Sequence, residues 1–140
     1  MYLLDTNVLS ELRKLGDGRC APAVAAWIAG VDQLDLHLSV VTLMEIELGI
    51  VRLERRDERQ AAMLRRWMRD RVMPTFAATI LPIDAAVAIR CARLHVSDPA
   101  SERDAWIAAT GLVHGLTIVS RDIADFAKTG AVLLDPFTVA

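Results

Sequence analysis

Four carboxylates, Asp5, Glu45, Asp104 and Asp122, sit where acids can do chemistry, and each also has a plainer reading. Asp5 follows Tyr2-Leu3-Leu4, a short apolar run that reads as a buried strand. Val8, Leu9 and Leu12 follow at helical spacing, so a helix begins within a residue or two. That puts Asp5 at the carboxyl end of a strand beside a helix N-terminus, where open α/β sheets keep their ligand crevice. Capping of the helix by Asp5 or Thr6 fits the same residues. Glu45 follows Thr42 in Thr-x-x-Glu, which is also a capping box, and Glu47 is a close rival for its role. Asp104 shares a helical stripe with Ile107, Ala108 and Gly111, on a helix apolar nearly all round. Such a helix is buried, and a buried carboxylate needs a partner or an ion. The helix dipole offers only about 0.3–1 kcal/mol, too little to offset burial. Asp122 follows Ser120-Arg121 where a strand gives way to a helix, and Asp122 with Asp125 would also make a cap.

The elements that must position these acids alternate strand and helix. A strand over 2–4 leads into a first helix, a loop over 15–18, and a second helix with Pro22 in its first turn. Leu34-Asp35-Leu36-His37-Leu38 alternates as a strand ending near Ser39. Helices follow over 41–51 and 57–73. The latter carries an apolar stripe of Ala61, Leu64, Met68 and Val72 and is stopped near Pro74. A strand over 79–83, a helix capped by Asp84 and running to about His95, and a turn at Asp98-Pro99 come next. A helix over 101–114, a strand over 116–119, a short helix over 123–128 and a strand over 132–134 complete the chain. Short apolar runs separated by helices imply βαβ units. The expected fold is one α/β domain over residues 1–140, three layers deep, with a five-stranded, mainly parallel sheet. If the first and fourth strands are neighbours where the sheet order reverses, Asp5 and Asp122 face each other across the crevice.

Hydrophobic residues make up 54% of the 140, above the roughly 45–50% of an average domain. The excess points to a sheet covered on both faces or to apolar surface kept for a partner. No signal-peptide pattern opens the chain, and the longest apolar stretch, 107–119, is broken by Thr110 and His114. A cytoplasmic protein with no membrane span is expected. Cys20 and Cys91 lack metal or redox spacing and read as reduced thiols. The net charge of −2 conceals a basic segment: residues 52–71 hold eight of the fourteen arginines and four acids. Arg65, Arg66 and Arg69 lie largely off the apolar stripe there. They read either as contacts for a polyanion or as a solvated face. Seven scattered aromatics give no stacking platform for bases.

Together, four segments carry a resemblance. They are Leu3-Leu-Asp5-Thr-Asn7-Val-Leu-Ser10, Ser39-Val-Val-Thr-Leu-Met-Glu45-Ile-Glu-Leu-Gly49, Asp104-Ala-Trp-Ile-Ala-Ala-Thr110, and Val119-Ser-Arg-Asp122-Ile-Ala-Asp-Phe126. In this order they resemble the PIN-domain ribonucleases, in particular the VapC-type toxins of bacterial toxin–antitoxin pairs. The resemblance implies an endoribonuclease in which Asp5, Glu45, Asp104 and Asp122 hold Mg²⁺ or Mn²⁺. Thr6, Asn7 and Ser120 would be its supporting polar residues, and Asp125 would be an extra acid able to share the role of Asp122. Gly49 selects Glu45 over Glu47. The implied partners are an RNA substrate, a cognate antitoxin and a second copy of the chain.

Electrostatics leads to the same ion. Two carboxylates 4 Å apart repel by about 1 kcal/mol in water and about 4 kcal/mol at an effective dielectric of 20. A hard divalent cation relieves this and accepts oxygen ligands. A magnesium-dependent phosphotransfer or phosphatase domain is the rival enzyme, but residue 7 is Asn and the only lysines are Lys14 and Lys128. A catalytically inactive PIN-like binding module is the other alternative, disfavoured by the four intact acids.

Overall fold

Strand β1 (Tyr2–Leu4) lies at the centre of the sheet, and its carboxyl end is the origin from which the acids are placed. The computed structural model describes residues 1–97 and 101–138. The other strands are β2 (Leu36–Ser39), β3 (Ile80–Leu81), β4 (Thr117–Val119) and β5 (Leu133–Leu134). They pair in the order β3-β2-β1-β4-β5, every pair parallel. The chain winds outward from β1 to β3 on one side, then restarts at β4 on the other. The order therefore reverses between β1 and β4, which creates the crevice outside their carboxyl ends. Tyr2 pairs with Thr117 and Leu4 with Val119, so both strands end at the same level.

Helices cover both faces of the sheet because strand residues alternate in direction. Leu4, Leu38 and Val119 face Val8 of α1 (Thr6–Leu12) and Ile46 and Ile50 of α3 (Val40–Glu54). Leu3 and Ile118 face the other way, onto Ile107 and Ala108 of α7 (Glu102–His114) and Phe126 of α8 (Ile123–Phe126). Val87 and Cys91 of α6 (Ala85–Ser97) then pack on Ala105 and Ala109 of α7. This is the three-layer α/β domain expected, with all five strands parallel. Truncating a fully buried leucine such as Leu3 would cost roughly 2–5 kcal/mol.

Helix α7 sits unusually close to the sheet. A Cβ on Gly111 would lie 3.0 Å from Ile118 Cγ1, so a larger residue there requires Ile118 to give by a few tenths of an ångström. Gly115, at φ 66°, takes the left-handed turn that ends α7 and feeds β4. Both glycines fix how far Asp104, in the first turn of α7, stands from β1.

Several boundaries depart from the sequence expectation. The second strand begins at Leu36, because Asp32 caps a 3₁₀ turn over Gln33–Asp35 through Leu34 N–H and leaves Leu34 75% exposed. The third strand ends at Leu81, before Pro82, which has no N–H to donate. The loop after α1 is a 3₁₀ turn, Arg13–Asp17, followed by α2 (Pro22–Ala29). Pro74 does not stop the basic helix. Helix α4 (Glu58–Trp67) widens into a π-helical segment, Met68–Val72, and continues as α5 (Met73–Phe76). The wider turn relieves the clash a proline ring makes with the carbonyl four residues back. Asp84 does cap α6, accepting Val87 N–H at 3.0 Å. The turn expected at Asp98-Pro99 lies outside the described residues. Both cysteines are free thiols, and no helix among the described residues is long and apolar enough to cross a membrane.

Candidate active site

Asp5 both caps and faces the crevice, one oxygen for each task. Its Oδ1 accepts Thr6 N–H at 2.9 Å, closing the N-terminus of α1. Its Oδ2 accepts the Ser120 hydroxyl at 2.7 Å and Asn7 Nδ2 at 3.4 Å. Ser120 is fully buried at the end of β4, so the contact follows from the β1–β4 pairing. Burial raises the pKa of Asp5. The Ser120 and Thr6 donors pull it back, and Glu45 and Asp122 push it up again.

Glu45 is not part of a capping box. Ser39 caps α3 by accepting Val41 N–H at 3.0 Å, so Thr42 lies inside the first turn, fully buried. Glu45 Oε1 instead accepts the Thr6 hydroxyl at 2.7 Å, joining α3 to α1. Its Oε2 lies 3.6 Å from Arg103 Nη1. Glu47 points elsewhere and binds Arg65 at 3.1 Å on the exposed side of α3. The two acids that the sequence left close rivals are thus separated by geometry.

Asp104 is half-buried, and its helical neighbours Ile107, Ala108 and Gly111 are all buried. Burial pushes its pKa up to about 6, and the charges of Asp5, Asp125, Glu45 and Asp122 push in the same direction, in that order. Each of these contributions disfavours its charge. Asp122 occupies the cap position of α8 without capping it. Its Oδ2 accepts Asn7 Nδ2 at 3.1 Å, and its N–H donates to Ser120 Oγ at 3.0 Å. Asn7 Oδ1 in turn accepts Arg121 N–H at 3.1 Å. Thr6, Asn7 and Ser120 thus tie Asp5, Glu45 and Asp122 together from three segments of the chain, and Asp104 and Asp125 lie near enough to act on one another through their charges.

A family model described as the PIN domain matches residues 2–132. The chain belongs to the PIN domain family. Toxin FitB of Neisseria gonorrhoeae is 35% identical over 98% of this chain and 99% of its own length. VapC ribonuclease Y4jK of Sinorhizobium fredii is 32% identical over the full length of both. A solved structure of FitAB bound to an IR36 DNA fragment superposes with a TM-score of 0.88 at 30% identity, covering 100% of this chain and 98% of that one.

PIN ribonucleases are in general divalent-metal dependent, and the donors in this PIN domain suit such an ion. They are hard carboxylate oxygens without sulfur or imidazole, and their mutual repulsion is visible at Asp104. Among the described residues no three acids, histidines or cysteines stand close enough to hold an ion as they lie. Internal donors occupy the oxygens instead: Asn7 spans Asp5 and Asp122, and Thr6 and Arg103 take Glu45.

The basic segment of this PIN domain is partly spent on its own acids. Arg65 bridges Glu47 and Glu54 at 3.1 and 2.6 Å, and Arg69 pairs with Asp70 at 2.8 Å. Arg66 lines a surface cleft with Leu12, Met63 and Trp67. Sequence reasoning missed Arg103, whose charge lies near Glu45, and Arg121, whose backbone is tied to Asn7. Arg121 lies over the Phe137 ring, 4.1 Å from its centroid. Adjacency to Asp104 and Asp122 was the available signal for both.

Proposed function

We propose that this PIN domain is an endoribonuclease that holds Mg²⁺ or Mn²⁺ through Asp5, Glu45, Asp104 and Asp122, and that it is the toxin of a toxin–antitoxin pair. The observation that carries the reading is the cluster of carboxylates at the crevice: Asn7 spans Asp5 and Asp122, Thr6 joins Asp5 to Glu45, and Asp104 stands half-buried within reach of their charges. The first turn of α7 offers such a carboxylate only modest stabilisation, and a divalent cation gives it a partner. When bound, such an ion polarises a phosphoryl oxygen and lowers the pKa of a water for in-line attack. A phosphodiester suits the site, because its negative oxygen is both a ligand and the charge that needs neutralising.

The chain's own residues hold the geometry. Ser120 and Thr6 N–H fix Asp5 through both oxygens, and the Thr6 hydroxyl aligns Glu45. Asn7 ties Asp122 to Asp5, which keeps β4 and α1 in register at the crevice. Asp125 shares the role of Asp122 in a second reading. It acts on Asp104 more strongly than Asp122 does, whereas Asp122 lies beside Asn7 and Asp5.

The relatives named FitB toxin and VapC ribonuclease support the activity and the toxin role. We assign the chain an antitoxin partner, a homodimeric or larger toxin–antitoxin assembly and a cytoplasmic site of action, with residues 1–140 as one nuclease domain. Purified protein incubated with total RNA should cleave it with Mg²⁺ and stop in EDTA. Asp5→Asn should be inactive under both conditions. Equal cleavage in EDTA would refute the metal-dependent reading.

A further inference from the structure

We infer that Arg103 and Arg121 are the substrate-positioning residues of this site, each taking one RNA phosphate beside the phosphate held at the acids. The inference rests on the ribonuclease reading and deepens it. The crevice gathers Asp5, Glu45, Asp104, Asp122 and Asp125, and five carboxylates leave net negative charge even after one divalent ion is bound. RNA flanking the reacting phosphate is therefore repelled unless cations stand on either side.

Two exposed arginines directly precede the acids in sequence: Arg103 before Asp104, with its charge near Glu45, and Arg121 before Asp122. Arg103 opens α7 immediately before Asp104, and its Nη1 lies 3.6 Å from Glu45 Oε2, a contact longer than a good hydrogen bond. The pairs of the basic segment are tighter, at 2.6–3.1 Å. Arg103 is held loosely, so an RNA phosphate can draw it off Glu45.

Arg121 is held differently. Its backbone is fixed by Asn7, and its guanidinium stacks on Phe137 at 4.1 Å. No carboxylate among the described residues lies within 4.0 Å of its charge, although Glu11 feels it from farther off. A guanidinium over a ring keeps N–H donors to spare, and its planar fork matches a phosphate. Both arginines are exposed.

The test is binding of labelled single-stranded RNA across a salt series, in an Asp5→Asn background so that the RNA stays intact. Arg103→Ala and Arg121→Ala should each weaken binding several-fold. Each should also lower the slope of log affinity against log salt by about 0.7, the value for one phosphate contact on a single strand. Arg103→Lys and Arg121→Lys should restore the slope, which a merely structural role would not do. Unchanged slopes in both alanine variants, with a lowered slope in Arg66→Ala/Arg69→Ala, would move the phosphate contacts to the basic segment and overturn the inference alone. A parent protein that binds no RNA at low salt would overturn the ribonuclease reading together with it.

Discussion

Asn7 Nδ2 donates to Asp122 Oδ2 at 3.1 Å across 115 positions of sequence. The contact exists because β1 and β4 are parallel neighbours that end together, and it closes the crevice at which the sheet order reverses. Asn7 also accepts Arg121 N–H, so its amide is clamped from both sides. An amide here spans two acids that would otherwise repel.

Ser120→Ala removes the shortest hydrogen bond to Asp5, a buried carboxylate. Bonds to charged groups contribute about 1.5–3 kcal/mol, and a loss of that size is expected in urea denaturation at pH 7 without metal. The bond favours the ionised form, so the loss should shrink as pH falls and Asp5 protonates. An equal loss at low pH would mean that the hydroxyl matters for packing instead.

Asp104 sets a pH dependence. Its folded pKa is raised from 3.8 to about 6, so between those values the folded protein binds more protons than the unfolded chain. Its contribution to metal-free stability therefore falls as pH rises from about 4 to about 6 and is level above that. Asp104→Asn should flatten this fall and raise the melting temperature in EDTA at pH 7. A variant less stable than the parent there would contradict the assigned strain.

Metal should reverse the penalty. An ion that binds only the folded site stabilises it by mass action, about 2.7 kcal/mol at a hundredfold excess over Kd. Mg²⁺ or Mn²⁺ should raise the melting temperature of the parent, and Asp5→Asn or Asp104→Asn should abolish the shift while remaining folded. Calorimetry should also find metal affinity rising between pH 5 and 7, as Asp104 loses the proton that competes with the ion. A melting shift retained in both variants would locate the ion elsewhere.

The acids were legible because each sits at a strand end or on a buried helix stripe, features that periodicity exposes. Asp104 stood out from its apolar neighbours alone, and Gly111 and Ile107 are buried beside it. Glu45 was ambiguous, since Thr42-x-x-Glu45 fits a capping box. The cap one turn earlier, Ser39, is settled by where β2 ends, which depends on its pairing with β1 and β3. The continuation of the basic helix through Pro74 was hidden because a π-helical turn leaves no mark in an apolar stripe. Arg65 read as an RNA contact or part of a solvated face, since its partners, Glu47 and Glu54, lie on another helix.

A partner's arginine should enter the Asp5 pocket, because a guanidinium forks onto carboxylates and stays charged. Arg103 on Glu45 is an internal precedent. Inhibition by the cognate antitoxin should weaken as Mg²⁺ rises, since arginine and ion compete for the same oxygens. Full inhibition by a partner with every arginine replaced by alanine would show that the pocket is blocked another way.

Convergence of the four acids on one ion is tested most directly by the anomalous signal of a crystal grown with Mn²⁺. A peak ligated by Asp5 and at least two of Glu45, Asp104 and Asp122 is expected, with Asn7 and Arg103 displaced from the carboxylates they now hold. Saturating Mn²⁺ with no peak at Asp5, and Asp104 turned away into a salt bridge of its own, would contradict it.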